Sequence, residues 1–307
     1  MRLDDFRESE NVEDRRDQGS GGGGLNIGGG HISIAGIIIV LVVSYVTGIN
    51  PLTLFGAYQS ATDGGQTTAP SAPPGAPQGA PQGREGTPAD NSGQFVARIL
   101  GSTEDTWTEI FQQQVNGGRY TAPTLVLFSG QTRSGCGAAQ SAMGPFYCPN
   151  DQKVYLDTAF FAEMRSRFHA CPETEGACAF SQAYVIAHEV GHHVQDLLGI
   201  LPKVHQAEEQ SASDADANRL SVALELQADC FAGVWANHTQ QKFHFLDKGD
   251  VEAALQTASA IGDDRLQQET RGRVVPDSFT HGTSAQRQHW FSAGLNSGQI
   301  NACNTFQ

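Results

Sequence analysis

The sequence predicts an α+β domain with a small sheet, set behind one membrane-crossing helix and a proline-rich linker. Three observations lead there. Short strand-like runs at 124–129, 146–148 and 154–156 come before longer helical stretches, an order that suits a small sheet packed on helices rather than alternating βαβ units. Ile32–Ile49 is apolar and carries no charge. Two histidines, His188 and His192, stand four residues apart inside a strongly apolar helical stretch.

Residues 1–30 are charged and then glycine-rich, with too few apolar residues for a core, and are expected to be a disordered cytoplasmic tail. Ile32–Ile49 as a helix would span about 27 Å, near the thickness of a bilayer's hydrocarbon, so 31–50 is expected to be a transmembrane helix. It starts too far from the N-terminus for an ordinary signal peptide, and no cysteine follows it for lipid attachment. Arg15 and Arg16 precede the run and no Lys or Arg follows until Arg84, which predicts a single-pass protein with its N-terminus inside and the following domain outside the cytoplasm. Residues 51–93, rich in Pro, Gly, Ala and Gln, read as a linker.

The folded domain is expected over 94–307. Val96–Gln114 is amphipathic, with Trp107, Ile110 and Phe111 on its apolar side. Thr124–Ser129, Phe146–Cys148 and Val154–Leu156 read as strands, with the turn residues Pro149, Asn150 and Asp151 between the last two. Thr158–Phe168, Ser181–Leu198 and Leu220–Asn237 read as helices, the second with Ser181 as N-cap and Gly199 as stop. The stretch holding His205, Glu208 and Glu209 is polar and reads as a loop. All six cysteines fall in this domain, an even count that suits disulfides in an oxidising compartment. Of fifteen connectivities, one pairs Cys136 with Cys148, Cys171 with Cys178 and Cys230 with Cys303. The net charge of −14 argues against a nucleic-acid partner.

The chemistry concentrates in His188-Glu189-Val190-Gly191-His192. Residues i and i+4 share a helix face, so two imidazoles can reach one ion, and Glu189 lies beside them as a base for a water at that ion. A catalytic zinc needs a third protein ligand and one open position. Downstream candidates are His205, Glu208, Glu209, Glu225, Asp229 and His238. Glu225 is favoured: it lies on a helix buried on much of its circumference, and Asp229, one turn on, can accept the free N–H of a ligating histidine. Gly191 and Gly233 would let the two helices approach closely. A site built only for structure would need no Glu189, which weighs against a zinc-stabilised binding or scaffold module; hydrolysis of a cell-wall amide remains an alternative to proteolysis.

Residues from about 95 to 307 resemble the putative neutral zinc metallopeptidase family of bacterial membrane-anchored proteins. The resemblance rests on Gly144-Pro-Phe-Tyr-Cys-Pro149, Ala183–Gln195, Glu225-Leu-Gln-Ala-Asp-Cys-Phe-Ala-Gly233, Gly262-Asp-Asp264 and Phe279–Arg287. More broadly, HExxH on one helix and ExxAD on the next is similar to the gluzincins. The resemblance implies a zincin-like fold, one Zn2+ held by His188, His192 and Glu225 with Asp229 behind them, Glu189 as general base and a protein or peptide substrate. His281 or Arg287 is expected to supply a donor to the oxyanion.

Overall fold

A computed structural model describes residues 1–18, 83–86, 88–115, 117–166, 175–271 and 273–306. The expected transmembrane helix, most of the linker and Cys171 lie outside these residues. Among the described residues no helix is long and apolar enough to cross a membrane.

The strands are β1 (Val12–Asp14), β2 (Arg84–Glu85), β3 (Thr124–Phe128), β4 (Gln131–Ser134), β5 (Gly137–Gln140), β6 (Phe146–Cys148) and β7 (Lys153–Asp157). The helices are α1 (Asn91–Gln114), α2 (Ala159–Ser166), α3 (Glu175–Leu197), α4 (Ile200–Glu209), α5 (Asp214–Phe243), α6 (Asp250–Ala260), α7 (Asp263–Arg271) and α8 (Ser284–Ser297). Five strands form a mixed sheet in the order β2-β1-β3-β7-β6, and β4 and β5 form a separate hairpin. β1 runs parallel to β3, β3 parallel to β7, and the edge strand β6 antiparallel to β7. The period-2 alternation of the strands divides the sheet's side chains. Val12, Leu125, Leu127, Val154 and Leu156 face the helices and join Trp107, Phe180, Phe231 and Trp235 in the main core. Val126, Phe128, Tyr155 and Cys148 face the other way and pack with Ala139 of the hairpin, which the Cys136–Cys148 disulfide ties to the sheet.

Two expectations are corrected here. Residues 1–18 are not a disordered tail: β1 is an interior strand, and it is held by a buried ionic cluster. Glu13 accepts from Arg15 at 2.8 Å and 3.0 Å, from Lys153 at 2.8 Å and from the Gly83 N–H at 2.8 Å. Burial alone would raise the Glu13 pKa, but these four donors hold it down at about 2. β1 pairs with β2 on one side and β3 on the other, within the same compact unit as the rest of the domain. The domain also resumes before residue 94. Arg84–Glu85 pairs with β1, and Asp90 caps α1 by accepting from the Gly93 N–H at 3.0 Å.

Three local details also differ. Helix α3 starts at or before Glu175, so Ser181 is a buried mid-helix residue and not a cap. Gly199 does end it, in the left-handed conformation at φ 68°. Residues 200–209 are helical: Pro202 sits in the first turn, where it is tolerated, and Leu201 and Val204 are buried.

Candidate metal centre

Helices α3 and α5 carry the site. Gly191 lets them meet: a Cβ there would stand 3.0 Å from the Ala228 carbonyl oxygen. Gly233 serves a different contact, because its missing Cβ would stand 2.1 Å from the Phe291 oxygen of α8.

The crossing places His188, His192 and Glu225 together, with one ligating atom from each within 4.8 Å of the others. His188 Nε2 lies 3.2 Å from Glu225 Oε2, and His192 Nε2 lies 3.4 Å from Glu225 Oε1. Each imidazole has its other nitrogen engaged. His188 Nδ1 donates to Asp229 Oδ1 at 2.9 Å, and His192 Nδ1 donates to Gln195 Oε1 at 2.9 Å. Those bonds commit the Nδ1 protons and leave both Nε2 atoms, on the Glu225 side, as the ones that would bind an ion. A carboxylate and two imidazoles that give up their Nε2 protons when an ion binds make the donor set of a three-ligand zinc site, and the residues fit that ion.

Asp229 is fully buried and has four donors. Besides His188, Arg287 Nε and Nη2 reach it at 2.8 Å and 2.9 Å, and the Tyr184 hydroxyl donates to Oδ1. Burial would raise its pKa, yet the cations Arg287 and His188 hold it at about 2. Arg287 is itself buried and committed to Asp229. It thus holds the His188 partner, and it also lines the cavity.

Glu189 is buried and faces the same cavity, and its carboxylate accepts no hydrogen bond from another described residue. Burial raises its pKa above the ordinary carboxylate range, while His188 and His192 pull it the other way. The cavity holds about 430 Å³ and is walled by Gly144–Tyr147 on the β6 side and by His281 and Leu266 opposite. His281 is half-exposed. Asp263, which sequence reasoning missed, accepts from its Nδ1 at 3.2 Å and from the backbone N–H groups of Thr280, His281 and Gly282. Asp263 raises the His281 pKa, against the smaller effect of burial.

The other ligand candidates stand apart from the three. His205 lines the cavity wall, Glu208 accepts from Ser221 Oγ at 2.7 Å, and His238 bonds the Gly298 carbonyl at 2.8 Å. Gln195 was also missed, although its place one helical turn after His192 puts it on the same face. The Cys136–Cys148 and Cys230–Cys303 disulfides form as expected.

Residues 1–306 match the family model described as putative neutral zinc metallopeptidase. The uncharacterized protein YpfJ of Escherichia coli K12 is 47% identical over 310 residues, covering 100% of this chain and 99% of that protein. An uncharacterized protein of Mycobacterium tuberculosis H37Rv is 40% identical over 225 residues, 70% of this chain and 72% of its own length. No solved structure matches. With nearly its whole length matched by the model, the chain belongs to the putative neutral zinc metallopeptidase family.

Proposed function

We propose that the chain is a zinc-dependent endopeptidase of zincin type. The observation that carries this reading is the carboxylate of Glu189, which accepts no hydrogen bond from another described residue, beside the His188–His192–Glu225 cluster at the wall of an open cavity. A binding or scaffold module has no use for that group there.

Zinc, when bound, would polarise the scissile carbonyl and acidify a water. Glu189 accepts a proton from that water as its oxygen bonds to the carbonyl carbon. The same carboxylate then hands the proton to the amine nitrogen as the C–N bond breaks. His281, oriented by Asp263, donates a hydrogen bond to the carbonyl oxygen as negative charge gathers on it. β6 is an edge strand whose residues wall the cavity, so an extended polypeptide can add along it through main-chain hydrogen bonds. That last feature favours a peptide over a cell-wall amide.

The location we propose is the oxidising side of the envelope, with β1 and the domain together. The two disulfides support the compartment, and the uncharged run at 32–49 supports attachment to a bilayer. Protease digestion of intact spheroplasts checks it: both the N-terminal strand and the domain are expected to be cleaved, and protection of either contradicts it.

Glu189→Gln keeps the side chain's size and removes the base. It is expected to retain zinc and to lose about 100- to 10,000-fold in peptide hydrolysis. Equal hydrolysis by the two proteins would remove Glu189 from the reaction.

A further inference from the structure

One feature of the HExxH helix is unused by the reaction: a chain of amides running from His192 to the C-terminus. His192 Nδ1 donates to Gln195 Oε1 at 2.9 Å. Gln195 Nε2 donates both its protons, to the Leu224 carbonyl at 2.7 Å and to Gln227 Oε1 at 3.1 Å. Gln227 Nε2 then donates to the Cys303 carbonyl at 2.9 Å. Gln195 is fully buried, Gln227 nearly so, and Cys303 is joined to Cys230 of α5.

We propose that Gln195 and Gln227 are positioning residues that select the metal-binding tautomer of His192, and that the Cys230–Cys303 disulfide anchors this relay. The inference rests on the zinc reading above. Its logic is directional. An amide presents an acceptor on one side and a donor on the other, so the terminal acceptor sets the orientation of the whole chain. The Cys303 carbonyl can only accept, and therefore Gln227 must turn its NH2 toward Cys303 and its oxygen toward Gln195. The Leu224 carbonyl and that oxygen together fix the NH2 of Gln195, which leaves Gln195 Oε1 for His192. An imidazole facing an oxygen carries its proton on Nδ1, and Nε2 stays free as a metal ligand. Were Gln195 to turn over, its NH2 would face Nδ1, the ring proton would move to Nε2, and that nitrogen could no longer bind the ion.

The arrangement is economical in elements. On α5, Glu225 binds the metal, Gln227 carries the relay, Asp229 orients His188 and Cys230 holds the disulfide. The last turn of the chain, Ile300–Cys303, thus acts on a ligand that belongs to another helix.

The test uses the full chain with three changes: Gln195→Leu, Gln227→Leu and the double substitution Cys230→Ala/Cys303→Ala. Zinc affinity is measured by chelator competition, and the His192 tautomer by 15N NMR of the metal-free protein. Gln195→Leu is expected to weaken zinc 10- to 100-fold, and Gln227→Leu by about tenfold. Both should lose the Nδ1–H signature of His192. The cysteine substitution should match Gln227→Leu, and combining the two should cost no more than either, since they cut one relay. A folded Gln227→Leu protein with wild-type zinc affinity and an unchanged His192 signal overturns the proposal, as does additive loss in the combined variant. Should Gln195→Leu fail to fold, Gln227→Leu and the cysteine pair decide alone, because neither touches His192. If the wild type binds no zinc, the peptidase reading fails, while the NMR comparison still tests the relay.

Discussion

Gly294→Ala adds one methyl group at the closest glycine-mediated helix crossing among the described residues. A Cβ at residue 294 would stand 1.9 Å from the Cys230 carbonyl oxygen and 2.9 Å from the Val234 nitrogen. Ordinary contact begins near 3.4 Å, so α8 must retreat from α5 by about 1.5 Å. Both opposing atoms are backbone, and neither can rotate away. Intrinsic helix propensity alone would make the substitution stabilising by about 1 kcal/mol. Overpacking costs about 1–3 kcal/mol, and a backbone neighbour places this case at the upper end. The net is about 2 kcal/mol, which for an ordered unit of this size lowers Tm by roughly 4–8 °C. Arg287 lies two turns earlier on α8, and its 2.8 Å bond to Asp229 cannot survive a shift of that size. Zinc affinity should fall along with Tm. The assay is calorimetry with and without zinc, with Asn296→Ala, an exposed position on the same helix, as control. A Gly294→Ala protein as stable as wild type would refute the close approach of α5 and α8, and with it the account of how Arg287 is held.

Two further predictions concern charge. His281 has its pKa raised mainly by Asp263, so as a protonated donor it should serve the reaction up to an alkaline limit above the ordinary histidine value, and lose activity as pH rises through that limit. Asp263→Asn should move this alkaline limb of kcat/KM to lower pH; an unmoved limb would take His281 out of the reaction. Glu13 has a folded pKa of about 2 against an ordinary value of 4.5, so its contribution to stability is fully present above about pH 4.5 and is lost as pH falls through 2. Allowing for the partly exposed Lys153, Glu13→Gln should cost about 2–3 kcal/mol at pH 7 and flatten the acid limb of the stability curve. Urea unfolding at pH 7 and pH 3 measures both, and an unchanged midpoint at pH 7 would mean that β1 is not held as described.

What could be read beforehand follows from where the signal was local. HExxH and ExxAD sit within single turns of helix, and their residues meet in the structure as the spacing implied. β6 was legible because Phe146, Tyr147 and Cys148 are flanked by turn residues. β1 was not, because Val-Glu-Asp is short and polar, and what holds it are Arg15, Lys153 and a partner strand more than a hundred residues away. The start of α3 was misplaced because a buried mid-helix serine, Ser181, looks like a cap. The bond from Arg287 to Asp229 was not legible for a related reason: residue type gives no partner, and only packing reveals it. Gln195 and Asp263 act through contacts to other elements, which spacing along one chain does not encode.

The central claim is that His188, His192 and Glu225 hold one zinc ion. Metal analysis and chelator competition on the purified full chain test it most directly, with Glu225→Ala beside the wild type. One zinc per wild-type chain is expected, and a sharp loss in the variant with folding retained. Full occupancy in Glu225→Ala, or a folded wild type with no measurable zinc affinity, would contradict it.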